Sequence, residues 1–175
     1  MLEGKQGYPV QKAMEILVGV GECFDAERMI PVNSAHLLYS LNSLGKGGLL
    51  FFQETAAQGG RFAIHTDTNP SSFDPCLQRD FGISEQFAQE QMVLCNMMVN
   101  MGAYLSDTCT PYLIGHVPLM HQHIAWNESS AVVFANSVLG VRTNREGGPS
   151  TFAAAITGRV PEYMATTLPK IVWQS

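Results

Sequence analysis

The sequence predicts an α/β layered domain built around a mostly parallel sheet. Three observations point there. Short apolar stretches alternate with helix-period segments, most helical segments carry their own start or stop residues, and polar loops follow the apolar stretches. Strands separated by helices are joined by crossovers, which favours parallel pairing.

Taken in order, residues 11–24, "QKAMEILVGVGECF", place Ala13, Ile16, Leu17, Val20 and Phe24 on one helical face. "RMIPV" then reads as a strand emptying into the polar loop "NSAH". "GLLFFQETAAQ" is helical, with Gly59 and Gly60 as its stop. "RFAIHTD" alternates Phe62 and Ile64 inward as a second strand, and "NPSSFDP" is loop by its turn residues. Ser84 caps a helix to Met101 with Ala88, Met92, Cys95 and Val99 inward and Gly102 just past its end. "AYL" and "HIAW" are short strands. "ESSAVVFANSVLG" and "PSTFAAAITG" are two more helices, the second with Pro149 near its start and Gly158 at its close. No internal repeat or linker divides the chain, so residues 1–175 are expected to form one domain.

The composition narrows the function class. A chain of 175 residues with 46% hydrophobic and 14% charged residues can bury a core. A net charge of −5 offers no basic field for nucleic acid or an acidic membrane. No apolar run approaches the roughly 20 residues of a membrane span. The cysteines at 23, 76, 95 and 109 form no CxxC pair or disulfide framework. A reducing, cytoplasmic setting is the expectation.

In parallel sheets, ligands sit at loops beyond the carboxyl ends of the strands. "NSAH", "TDTNP", "SDTCTPY" and "NESS" occupy such places. Cys109, set among threonines after a strand, can ligate iron or can simply fill space; one cysteine cannot hold a cluster by itself. His121 and His123 would share a strand face as a zinc site might, with His116, His36 or His65 needed as third ligand. Ser34 and His36 could serve as donor and acid–base pair, or as capping residues. Arg142, Arg145 and Glu146 precede a helix start in "NREGGPS", which suits an anion site or a plain surface turn.

These same residues carry a family likeness. "TCTPYLIG", "HIAWNESSAVVFANSVLGVRTNREGGPSTFAAAITGR", the opening "VQKAMEILVGVGECFDAERMIPVNSAH" and the loop "TNPSSFD" together resemble the large catalytic subunit or domain of the aconitase X family. The likeness runs from about residue 9 to 162. It implies an aconitase-like three-layer α/β/α fold and a hydro-lyase that dehydrates a small β-hydroxy acid with an iron–sulfur cluster. Mevalonate 5-phosphate and cis-3-hydroxy-L-proline are the family's substrates. It further implies a smaller swivelling subunit or domain as partner.

Residue by residue, the resemblance makes Cys109 a cluster ligand of unspecified nuclearity. It puts His36 and Glu128 in catalytic positions. Ser34, Asn69, Ser129, Ser130, Asn136, Ser137, Arg142, Asn144 and Arg145 would then line the substrate. His123 matches the histidine before "IAW", while His116 and His121 match nothing distinctive.

Two departures stand out. Asp107 occupies the place where many relatives carry a first cysteine, in C-T-C-T-P-Y, and the likeness fades after Tyr163. The family's large subunits are longer than this chain, so it resembles their front part. The expectations are therefore an iron–sulfur dehydratase working with further chain, or a catalytically silent relative acting as a binding or assembly module. A zinc hydrolase built on the histidines is a third.

Overall fold

The computed structural model describes residues 1–163. The departing tail noted above, 164–175, lies outside the described residues. Among the described residues, five α-helices and five strands follow one another: α1 Tyr8–Cys23, β1 Met29–Pro31, β2 Ser34–Leu37, α2 Leu41–Ala57, β3 His65–Thr68, α3 Glu85–Met101, β4 Ala125–Trp126, α4 Ser129–Phe134, α5 Gly148–Thr157 and β5 Arg159–Pro161. The fold class is α/β, as expected. A three-stranded parallel sheet runs in the order β3-β2-β4, and a separate antiparallel ribbon joins β1 to β5.

The two faces of the parallel sheet differ because side chains alternate along a strand. One face carries Ala35 and Ala125, which meet Ala154 and Ala155 of α5. Small residues on both sides let helix and sheet approach closely. Behind α5 lies the main core, where Phe152 stacks on Phe52 at 3.8 Å between ring centroids, with Leu17, Leu94 and Met98 around them. The other face carries His36, Asp67 and Trp126 in one row of the register. Trp126 there packs with Ala131 of α4, with Ala135 just past its end and with Val141.

The helix punctuation behaves as expected at several points. Ser84 Oγ accepts from Phe87 N–H, and Gly102 closes α3 in the left-handed region at φ 106°. Pro149 sits in the first turn of α5, and Gly158 closes it at φ 65°. Gly60 after α2 is required by contact: a Cβ there would stand 2.8 Å from the Thr55 carbonyl oxygen.

Other expectations need correction. "NSAH" is not a loop: Ser34 and His36 belong to the central strand β2, because each finds a buried polar partner across the sheet face. The second strand begins at His65, so Arg61–Ile64 lead into it rather than form it. "AYL" forms a single bridge, Asp67 to Tyr104. α2 begins seven residues earlier than its apolar run, at Leu41, through a kink at Gly45. On α3 the buried face is Ala88, Gln91, Leu94, Cys95 and Met98; Met92 and Val99 are exposed. The buried stripe contains Gln91, which apolar periodicity passes over. Its Oε1 accepts from Leu41 N–H and Ser72 Oγ–H and so ties α2 and the 70–75 loop to α3. β5 was not anticipated at all. No helix among the described residues is long and apolar enough to cross a membrane.

Candidate functional site

The carboxyl ends of β3 and β4, with the 105–110 loop between them in space, gather one polar group. Asn69 follows β3 directly and is buried; its amide donates to Glu128 Oε2 at 2.9 Å. Glu128 sits just after β4, at the N-cap of α4, with Ser129 Oγ–H turned toward its other oxygen at 3.4 Å. Cys109 is exposed and within hydrogen-bonding reach of the Glu128 carboxyl. Its thiol is pushed up, first by partial desolvation and then by the neighbouring carboxylate, which opposes a second negative charge. Asn69 Oδ1 and Asn127 Oδ1 are buried there without hydrogen-bond partners.

Asp107, the residue in the place of a relative's cysteine, adopts a left-handed backbone at φ 44°, a region in which aspartate is one of the better-tolerated side chains. Its Oδ1 accepts from Tyr39 Oη–H at 2.7 Å and from Thr68 Oγ1–H at 3.1 Å. Burial and then its bonds to Cys95 and Asp107 drive the Tyr39 phenol far up, so it remains a donor at every physiological pH. Asp107 thus anchors the loop that presents Cys109. A cleft of about 400 Å³ opens beside it, lined by Pro70, Ser71, Phe73, Asp74 and Pro75. A larger cavity of about 630 Å³ lies between α2 and α3, at Gln53, Gly60, Asn96 and Met97, and none of the residues above lines it.

A second polar group lies further back on the same sheet. His36 Nδ1 is 2.9 Å from Asp67 Oδ1, and both side chains are buried. His116, from the 111–121 loop, brings Nδ1 within 3.0 Å of the same oxygen and Nε2 within 2.7 Å of Ser34 Oγ. Burial alone would raise the Asp67 pKa. The contacts of His116 and His36 outweigh it and bring it to about 2, so the carboxylate is ionised throughout the neutral range. His65 is shifted down by desolvation and by His116, which keeps its ring neutral near pH 7. His36 was expected at the site from the sequence and Asp67 was not; their pairing follows from the parallel register of β2 and β3, which brings together residues 31 apart.

The remaining expected residues divide by environment. Ser129, Ser130, Ser137 and Arg145 are exposed, and Arg142 is half-buried. Residues 142–145 form an extended edge beside 123–126, with bridges from His123 to Arg142 and from Trp126 to Arg145. Asn136 is committed to the backbone: its amide donates to Val132 O and Thr143 O and its oxygen accepts from Thr143 N–H. Asn144 is fully buried and donates to Pro161 O at 3.1 Å. Glu146 is buried as well, and burial raises its pKa; Ser150 and Asn144 stand near enough to offset part of that, without an aligned hydrogen bond to either oxygen. His121 and His123 do not join the other histidines. The structure therefore gives the opening of α5 more internal bonds than the sequence suggested.

The fold agrees with the comparisons to known proteins. The family described as "Aconitase X first domain" matches residues 1–167. The phosphomevalonate dehydratase large subunit of Methanothermobacter thermautotrophicus is 46% identical over 93% of this chain and 41% of its own length. The cis-3-hydroxy-L-proline dehydratase of Pseudomonas aeruginosa is 34% identical over 92% of this chain and 28% of its own length. The crystal structure of Thermococcus kodakaraensis aconitase X in its holo-form superposes with a TM-score of 0.84 at 41% identity, covering 95% of this chain and 41% of that one. The chain spans about two fifths of the length of the phosphomevalonate dehydratase subunits it matches.

Proposed function

Since the chain belongs to the aconitase X family, through that family's first domain, we propose that it forms the front part of a hydro-lyase that removes water from a small β-hydroxy acid. The observation that carries this reading is the convergence of Cys109, Glu128 and Asn69 at the carboxyl ends of the strands, beside an open cleft. Greater identity to the phosphomevalonate dehydratases than to the hydroxyproline enzymes favours mevalonate 5-phosphate as substrate.

The donor set suits one corner of an iron–sulfur cluster. A thiol crowded against a carboxylate, with its pKa pushed up, is a pair that a cation relieves. Clusters take about three or four cysteine ligands. Among the described residues, Cys109 is the cysteine that meets Glu128, and one thiolate cannot hold a cluster, so further ligands would have to join it. When bound, the cluster supplies a Lewis-acid iron that stabilises the departing hydroxide.

The chain's own residues then have distinct tasks. Glu128 acts as the base that takes the proton beside the substrate carboxylate, with the Asn69 amide fixing its orientation. Asp107 and Tyr39 hold the Cys109 loop in place. Ser129, Ser130, Ser137, Arg142 and Arg145 offer accessible donors for the acid or phosphate group. His36, locked onto Asp67 inside the sheet, positions the strand rather than touching substrate. Asn136 and Asn144 shape the backbone around that surface. A small swivelling subunit completes the site, in keeping with the "large subunit" names of the relatives.

The test is turnover by the longer protein together with a small subunit, on mevalonate 5-phosphate and on cis-3-hydroxy-L-proline. Dehydration of the first, abolished by Glu128→Gln with substrate binding retained, is expected. Full activity of that variant would remove Glu128 as the base, and turnover of the second alone would overturn the substrate.

A further inference from the structure

We propose that His65, Asp67 and His116 form a binding site for a divalent first-row transition-metal cation, separate from the Cys109–Glu128 group. One ligand atom from each lies within 4.8 Å of the other two. His116 Nδ1 and Asp67 Oδ1 are 3.0 Å apart. Two donors bound at right angles to one cation, with bonds of about 2.1 Å, would stand about 3 Å apart.

The proton arrangement supports a cation between them. His116 Nε2 is bonded to Ser34 Oγ at 2.7 Å, and in the tautomer that donates from Nε2 to that hydroxyl, Nδ1 carries the lone pair. That Nδ1 is buried and without a hydrogen-bond partner, although it faces a carboxylate oxygen. In that tautomer Nδ1 and the carboxylate oxygen face each other 3.0 Å apart as two donors to one cation.

The surrounding groups have the character of supports for metal ligands. His36 Nδ1 steadies Asp67 Oδ1 at 2.9 Å, and Ser106 Oγ–H reaches Oδ2 at 3.3 Å. Trp126 closes one side, its ring centroid 5.1 Å from that of His116. His65 packs edge-on against His116 at 4.7 Å and is exposed, which leaves a path in from solvent. Two neutral imidazoles and one carboxylate with open positions suit zinc, cobalt(II) or iron(II) rather than calcium or magnesium.

The site lies upstream of the proposed chemistry on β3: Asp67 is two residues before Asn69 and His65 four, roughly 7 and 13 Å at the usual strand rise. A cation here would clip the 111–121 loop to β3.

Isothermal titration of the chelator-stripped chain with zinc, alongside cobalt(II) absorption, tests the site. One equivalent is expected to bind, with cobalt giving the visible bands of histidine–carboxylate ligation. His65→Ala, at an exposed position that circular dichroism will show still folds, is expected to weaken binding by about 100-fold, and Ser34→Ala by about 10-fold. Cys109→Ala is expected to leave binding unchanged. Absence of zinc binding, or binding that survives His65→Ala, would overturn the site, as would binding lost in Cys109→Ala.

Discussion

His36 and Asp67 stand opposite one another in the β2–β3 register and are joined by an Nδ1 to Oδ1 contact of 2.9 Å, both side chains buried. A hydrogen-bonded polar pair on one face of the sheet fixes which face meets α5, because the opposite face bears the alanines that a helix can approach. The pair sets both the register of the sheet and the placement of the residues that follow it.

Asp67→Asn is therefore expected to destabilise the fold in a pH-dependent way. The folded pKa near 2 lies below the unfolded carboxylate value of about 3.9, so the stabilisation is present above pH 4 and lost as pH falls toward 2. Denaturant titrations should show a deficit of about 2 kcal/mol at pH 7 that vanishes near pH 2. A deficit of equal size at both pH values would mean that packing rather than ionisation is responsible.

Glu146 carries the opposite sign. Its folded pKa is raised by burial, so the fold is penalised as pH climbs above the unfolded value of about 4.3. Glu146→Gln should gain about 1 kcal/mol at pH 7 and nothing at pH 4. Loss of stability at pH 7 would show that the carboxylate is ionised and needed.

The Cys109 thiol is raised by desolvation and by Glu128. Glu128→Gln removes the carboxylate charge and should speed alkylation of Cys109 several-fold at pH 7.5, read cysteine by cysteine by mass spectrometry. An unchanged rate would separate the two side chains in solution.

In the core, Phe152 stacks on Phe52 and meets the edges of Phe51 and Phe62. Phe152→Ala should cost about 3–5 kcal/mol, measured by denaturation. A loss below 1 kcal/mol would show that the four rings do not form the centre of the core.

Helix punctuation was the most legible part of the fold, since Ser84, Gly102, Pro149 and Gly158 act within a turn of their own positions. Polar strands were less legible. Ser34 and His36 read as loop because their partners, His116 and Asp67, are 82 and 31 residues away. Gln91 was passed over for the same reason: its usefulness depends on α2 and the 70–75 loop, which no local period reveals. At the site, the loop positions of Cys109, Asn69 and Glu128 could be anticipated from strand ends. That they face one another, and that Asn136 and Asn144 are turned to backbone bonds instead, depends on packing. Asp107 looked like a lost ligand, and the structure makes it the anchor of the loop.

Iron held by Cys109 is the central element of the proposed chemistry. In the longer protein, reconstituted anaerobically with iron and sulfide, absorption and electron paramagnetic resonance spectra should show a cluster whose signal is lost in Cys109→Ala and kept in His65→Ala. A cluster signal unchanged by Cys109→Ala would contradict the account.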